Sequence, residues 1–448
     1  MIFTAEKLAQ GCRGRLVAAG TPGRVCTDTR AVQPGDWFLA MRGDRFDAHD
    51  FLEQAIEAGA TGVIAEQTRP GWSAGYIEVA DGLKALQDLG RFVRAKYSGP
   101  VVGITGSAGK TTTRALIGLV LEDLGTVHQT AGNFNNHVGL PLTLLAAPEK
   151  ADAWVLEMGM NHAGEIQLLQ NIGRPNIRLI TNVGIAHLEG LGSIDAIAQA
   201  KAELFDGAQP GDICCVNLDD PYVSKMSIPS NDSVIGFGRH AESMVQLTNA
   251  HVDPETLATH FTVKIDGTAF FGVVPNPGLH MATNAVSAIA VGHALGLDPN
   301  SMIAKIASYT PVGMRLRIEE GPGGIKLIND AYNSNPMSVE ANLRMLAAIP
   351  GRRRIALLGD MLELGPTEIE QHRETVELAE SLELDLIGFA GPRFCTAIGN
   401  TQVCAPDAEQ LGKQLKGLLQ PGDIVLIKGS RGMQMERIIP HLAPKETN

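Results

Sequence analysis

The chain has few of the features that mark several protein classes. Its 448 residues include six cysteines, Cys12, Cys26, Cys214, Cys215, Cys395 and Cys404, with no C-x-x-C pair among them. In a chain this long, that usage points to ordinary thiols in a reducing compartment and argues against a disulfide framework. No basic run occurs and the net charge is −12, so the electrostatic footprint of a nucleic-acid binder is missing. The N-terminal stretch MIFTAEKLAQ lacks the basic-then-apolar order of a leader. No apolar run approaches the roughly 20 residues that span a bilayer. The most apolar helix candidate, AVSAIAVGHALGL at 285–297, is interrupted by Ser287 and His293 and reads as core. What remains is a cytoplasmic globular enzyme with no nucleic-acid or membrane partner.

One more absence is local. Residues 101–113 read VVGITGSAGKTTT, and the standard phosphate loop, Gly-x4-Gly-Lys-Ser/Thr, requires a glycine where Ile104 stands. The rest of the device is present. Val101, Val102 and Ile104 form a β-branched run typical of a buried strand. After Lys110, the residues Ile117, Val120, Leu121 and Leu124 recur at helical spacing, and Gly125 follows as a stop. A strand, a glycine turn and a helix N-terminus surround an anion with backbone N–H groups. Thr105, Gly106, Ser107, Ala108, Gly109, Lys110, Thr111 and Thr112 are therefore the candidate ATP-binding loop. Lys110 supplies a charge at the β/γ-phosphates and Thr111 a hydroxyl for Mg²⁺.

The tetrapeptide Gln-Pro-Gly-Asp occurs at 33–36, 209–212 and 420–423, each time before an apolar run. Pro-Gly suits the centre of a type II turn, so each copy predicts a turn feeding a strand. Strand runs alternate with helical stretches throughout, which indicates an α/β protein with mostly parallel sheets. Three domains are expected, at 1–98, 99–312 and 313–448. The chemistry-bearing residues follow strand runs, where ligands of such sheets bind. Glu157 ends AWVLE, and a carboxylate there needs a cation, with Mg²⁺ on ATP as the natural partner. His187 in IAHLEG, Lys201 in QAKAELF, Asn284 in HMATNAV, Arg315 in GMRLR and Asp330 in LINDAY are weak signals one at a time.

Taken in order, they are not weak. TGSAGKTTT, EMGMNHAGEI, NVGIAHLEGLGS, QAKAELF, ATNAVSAIAV, GMRLR, NDAYNSNP and LGDMLELG resemble, along essentially the whole chain, the Mur ligases, ATP-dependent amide ligases of bacterial cell-wall precursor synthesis. Their loop is TGxxGKT, without the distal glycine, which accounts for Ile104. The segments EMGMN, DAYNSNPMS and LGDMLELG resemble the branch that adds D-alanyl-D-alanine. The branch adding the third amino acid carries a Ser-Ser-rich segment and His-Thr-Pro where this chain has Met158-Gly159-Met160 and Asn333-Ser334-Asn335-Pro336.

The resemblance implies a central phosphate-loop ATPase-type domain, flanked by an N-terminal α/β domain for the UDP end of the substrate and a Rossmann-like C-terminal domain. It implies that UDP-N-acetylmuramoyl-tripeptide is joined to D-alanyl-D-alanine through an acyl phosphate, by a monomer using ATP and two Mg²⁺ ions. Lys110, Glu157, His187 and Lys201 would be catalytic, with Thr111, Glu157, His187 and a carbamylated Lys201 at the metals. Asn284, Arg315 and Asp330 would contact ATP. Thr27, Asp28, Thr29, Arg30, Arg45, Asp47 and His49 would hold the UDP end. Asn133, Asn135, Asn136, Asn333, Ser334 and Asn335 would face the rest of the substrate, and Lys428 and Arg431 are candidates for the dipeptide carboxylate. Two rivals stand beside this reading. A folylpolyglutamate-synthase-like ligase shares TGxxGKT but lacks the long N-terminal domain and NSNP. A regulatory ATPase has no use for His187 and Lys201.

Overall fold

The computed structural model describes residues 1–43, 46–185, 188–229, 233–398 and 403–442. Each Gln-Pro-Gly-Asp copy folds as its composition requires. The backbone N–H groups of Asp36, Asp212 and Asp423 donate to the carbonyls of Gln33, Gln209 and Gln420 at 3.0, 2.9 and 3.1 Å. Gly35, Gly211 and Gly422 take φ values of 90°, 92° and 88°, the left-handed position of a type II turn that glycine fills without steric cost. Each aspartate then accepts from the N–H of its own glutamine at 2.8–3.0 Å. Each also pairs with an arginine of the neighbouring strand region, Arg24, Arg178 or Arg353, at 3.0, 3.0 and 3.3 Å. The same turn is thus locked three times by a charge from outside it.

Among the described residues the chain builds three successive sheets of five, nine and six strands. The first spans Arg15–Ala18 to Gly75–Glu78, with only its first strand antiparallel. In the second, the loop strand Val101–Thr105 lies between Ala153–Glu157 and Ile177–Ile180, all parallel. In the third, Lys326–Asp330 and Ile424–Lys428 are parallel neighbours ending in register, Asp330 beside Lys428. Parallel central strands place these carboxyl ends on one rim, which is where the functional residues gather.

The second sheet continues where the sequence reading stopped. Val245–Val252, Thr259–Ile265 and Thr268–Val274 form an antiparallel meander. Its last turn carries Asp266 and Gly267 at φ 48° and 82°. Asp-Gly between alternating runs is the usual hairpin signal. The apolar helix expected near 285–297 is Leu279–Ala294, with Ala285, Val286, Ile289 and Val291 fully buried. Its Ser287 hydroxyl donates to the Asn284 carbonyl at 2.7 Å, which removes the cost of burying it. That cluster runs on into Ile328, Val339 and Leu343 of the last third, so one apolar core joins the two.

The expectation of six ordinary thiols is corrected. Cys395 and Cys404 are disulfide-bonded, because the helix Pro392–Ala397 packs beside the edge strand Val403–Ala405 and brings their Cα atoms within 5.8 Å. Cys12, Cys26, Cys214 and Cys215 are free. Among the described residues, no helix is long and apolar enough to cross a membrane.

Candidate active site

The loop strand is buried along its whole length, and Ile104 packs into the central core with no exposure. Glycine is required later in the loop. A Cβ on Gly106 would meet Thr181 Oγ1 at 1.8 Å, and one on Gly109, at φ 79°, would lie 2.8 Å from Asn284 Oδ1. Asn182 holds the loop from behind. Its Oδ1 accepts from the Ala108 N–H at 2.9 Å and its carbonyl from the Ser107 N–H at 3.1 Å. The helix Lys110–Val120 then starts on Gly109 without a side-chain cap, leaving its N-terminus free for an anion. Lys110 Nζ folds back to donate to the Gly106 carbonyl. Burial pulls its pKa below the ordinary value, with Glu157 opposing and Arg315 reinforcing.

Glu157 is 2 % exposed and gathers three donors from two segments. Thr111 Oγ1 donates to its Oε2 at 3.0 Å, Asn135 Nδ2 to its Oε1 at 2.9 Å, and Arg114 to Oε2 at 3.3 Å. Among the described residues no three His, Cys, Asp or Glu side chains converge as a metal cluster. Magnesium needs none, since it binds through one or two protein oxygens with phosphates and water. The Thr111 hydroxyl and Glu157 carboxylate beside a phosphate loop fit that requirement.

Lys201, on the helix Ile194–Asp206, is 1 % exposed. Burial, and then the charge of Lys110, hold its pKa well below the lysine range. A buried amine next to a cation is driven to its neutral form.

The opposite wall comes from the last third. Asp330 Oδ2 accepts from Lys428 Nζ at 2.7 Å and Asn342 Nδ2 at 2.6 Å, and Oδ1 from the Leu316 N–H at 3.1 Å. Leu316 sits in the left-handed region at φ 52°, and its carbonyl accepts from Asn276 at 2.8 Å. Leu316 is thus pinned from both sides, by Asn276 before it and Asp330 after it. Arg315 lies 4.2 Å over the Tyr332 ring. Asn335 caps the helix Pro336–Ala347 and its amide donates to the Ser107 carbonyl at 3.3 Å, a direct link from this domain to the phosphate loop. Between the walls lies a cavity of about 520 Å³ lined by Ser107–Thr112, Asn133, Asn135, Asn136, Glu157, Asn284, Arg315, Asp330, Asn333–Asn335 and Lys428. That volume falls in the range of small-molecule sites.

Family models match three consecutive parts of the chain. They are the Mur ligase family catalytic domain over residues 24–93, the Mur ligase middle domain over 104–292 and the Mur ligase glutamate ligase domain over 314–431. A Bacillus subtilis relative named UDP-N-acetylmuramoyl-tripeptide–D-alanyl-D-alanine ligase is 36 % identical, over 93 % of this chain and 92 % of its own. The chain belongs to the Mur ligase family.

The Mur ligase fold extends over the whole chain. A crystal structure of MurF from Acinetobacter baumannii superposes with a TM-score of 0.92 at 29 % identity, covering 99 % of both chains. MurF from Thermotoga maritima, solved in complex with ADP, gives 0.85 at 29 % identity over 94 % of this chain and 97 % of its own.

Not every expected residue of this Mur ligase reaches the cavity. Thr27, Asp28, Thr29, Arg30, Asp47 and His49 belong to the first domain and do not line it. There Asp28 caps the turn Thr29–Ala31 and pairs with Arg30 at 2.8 Å. Asp47 caps Ala48–Phe51, and His49 Nε2 accepts from the Glu66 N–H at 3.1 Å. Arg431 pairs with Glu436 at 2.7 Å, away from the cavity lining. Arg45 and His187 lie outside the described residues.

Four participants were missed: Asn182, Arg114, Tyr332 and His280. Asn182 stands two residues past the end of the strand Ile177–Ile180, a position that could have flagged it. Arg114 lies one helical turn beyond Lys110 and looks like a solvated helix charge, yet it is 4 % exposed. His280 lines the cavity, and burial lowers its pKa to about 4 although Asp330 opposes this.

Proposed function

We propose that the chain is an ATP-dependent ligase joining the terminal carboxylate of UDP-N-acetylmuramoyl-tripeptide to the amine of D-alanyl-D-alanine, releasing ADP and phosphate. The observation that carries this reading is the Asn335–Ser107 contact across the cavity. It sets a phosphate loop against the NSNP segment of the C-terminal domain, in a chain whose relatives bear that enzyme's name.

The chemistry accounts for the cluster. A carboxylate is a poor electrophile at neutral pH, so its oxygen must first attack the γ-phosphorus, with ADP leaving. The amine then attacks the acyl carbon, phosphate departs, and the nitrogen gives up its extra proton. The first step brings an anion to a triphosphate, so charge neutralisation and in-line positioning dominate the barrier. Lys110, Arg315 and the helix N-terminus face the phosphates. Thr111 and Glu157 would hold Mg²⁺, which neutralises phosphate charge when bound. Lys201 is read as a carbamate near a second Mg²⁺ with His187: burial lowers its pKa and so favours the neutral amine, the form that adds CO₂. The first domain would hold the UDP end, and closure of the C-terminal domain on the loop would exclude water from the acyl phosphate. The working unit is read as a monomer.

The test is phosphate release from ATP with UDP-muramoyl-tripeptides carrying diaminopimelate or lysine. Release is expected only when a tripeptide and D-alanyl-D-alanine are both present. Efficient turnover with a UDP-dipeptide and one free amino acid would move the chain to a neighbouring Mur branch, and turnover with a folate and glutamate would overturn the reading.

A further inference from the structure

Arg114 is a buried cation that the mechanism above does not use. It stands on the helix Lys110–Val120, one turn beyond Lys110, and is absent from the cavity lining. One of its terminal nitrogens donates to Glu157 Oε2 at 3.3 Å and also to the Gly132 carbonyl at 3.4 Å. Its Nε–H is buried with no acceptor among the described residues. A firmly held arginine–carboxylate pair is bidentate and spans about 2.7–2.9 Å. This one is single-armed and long, so it neutralises Glu157 without clamping it.

The connections around Glu157 give that looseness a use. Oε2 is shared by Thr111, from the phosphate loop, and Arg114, while Oε1 holds Asn135. Gly132 and Asn135 belong to the segment GNFNN, which faces the cavity through Asn133, Asn135 and Asn136. A cation held by Thr111 and Glu157 would draw on Oε2, and the carboxylate would then need less from the guanidinium. Removing Arg114 with no such cation present leaves a buried carboxylate unpaired, a costly state.

We propose that Arg114 is the resident counter-cation of Glu157, a positioning residue that holds the carboxylate and the 132–136 segment together and yields Oε2 when the metal–nucleotide complex binds. The inference rests on the ligase reading for its metal and substrate.

The experiment compares the full-length protein with Arg114→Met and Arg114→Lys, measuring melting temperature alone and with Mg·ADP, Mn²⁺ affinity by paramagnetic resonance with ADP present, and steady-state kinetics. Arg114→Met is expected to melt about 5 °C lower or more without ligand. Mg·ADP should restore a large share of that loss, so the stabilisation it gives exceeds the wild-type value, and Mn²⁺ should bind at least as tightly. Arg114→Lys keeps the charge but reaches one partner at a time. It should retain wild-type melting and Mg·ADP response while KM for the UDP-tripeptide rises about fivefold with kcat within about twofold, the signature of lost ground-state positioning. Equal melting and equal Mg·ADP shifts in Arg114→Met and wild type would overturn the proposal. So would an Arg114→Lys protein that falls in melting temperature without any change in KM, which marks a purely structural role. Loss of any Mg·ADP response in the wild type would count against the ligase reading instead, and the ligand-free comparison would still decide the role of Arg114.

Discussion

Lys428 and Asp330 end two adjacent parallel strands and meet at 2.7 Å, with the lysine 2 % exposed. The lysine also donates to the Asn333 carbonyl at 2.9 Å. Read from the sequence, Lys428 was a candidate receiver for a substrate carboxylate. In the fold it already has one, and Asp330 in turn accepts from the Leu316 N–H at 3.1 Å.

Removing one member of that pair leaves the other without its charge partner. Lys428→Met is expected to cost roughly 3 kcal/mol of stability. The double change Lys428→Met with Asp330→Asn should cost less than Lys428→Met alone, since no bare carboxylate remains. Urea unfolding of the three proteins checks this. A Lys428→Met protein with wild-type stability and a raised KM for D-alanyl-D-alanine would return the lysine to its role as a substrate receiver.

Lys110 reaches back to its own loop and stands ready for the phosphates. Lys110→Ala is expected to lower kcat by a factor corresponding to about 3–4 kcal/mol of lost transition-state stabilisation, with little change in melting temperature. Near-normal turnover in a folded variant would sink the phosphate-loop assignment.

Lys201 has Lys110 as its charged neighbour and almost no water. If it works as a carbamate, Lys201→Ala should lose most activity and regain part of it with formate, acetate or propionate. Little loss on substitution would make it an ordinary buried helix lysine. A loss that no short carboxylate relieves would leave the carbamate unsupported.

His372 is fully buried beside Asp360 and packs on Phe394. Its Nε2 accepts from the Met361 N–H at 3.0 Å and its Nδ1 donates to the Glu368 carbonyl, which defines a neutral ring. Burial lowers its pKa below the ordinary 6.5, against the opposing charges of Asp360 and Glu368 and with the help of Arg393. The unfolded state therefore takes up a proton first as pH falls. Stability should be complete above pH 6.5 and decline below it until the folded ring also titrates, at up to about 1.4 kcal/mol per pH unit for one proton. Unfolding free energies from pH 7.5 to 5 should show that slope, and His372→Gln should flatten it; an equal slope in both proteins would assign the effect to other groups.

Much of the architecture was legible because it rests on short-range rules. The three Pro-Gly turns follow from the backbone freedom of one glycine, the loop strand from its β-branched run, and its helix from apolar residues at helical spacing. The antiparallel meander was passed over because its Asp-Gly turn was not weighed as a hairpin signal. The Cys395–Cys404 bond had no sequence signature, since only packing brings a helix and an edge strand to bonding distance. At the site, Thr111 and Glu157 were brought to one metal only by the family resemblance; their 3.0 Å contact is made by the pairing of the loop strand with Ala153–Glu157.

Sequence alone therefore determined which residues could bear charge beside a phosphate, and in what order the strands carry them. Only the tertiary structure decided which charges are spent on the protein itself. Lys428 is committed to Asp330, 98 residues away. Lys201 and Arg114, which look like solvated helix residues in the one-dimensional pattern, lie in the interior. The reason is dielectric: whether an ammonium or guanidinium is an ordinary surface group or a poised one depends on the water and countercharge around it, and those come from segments distant in sequence.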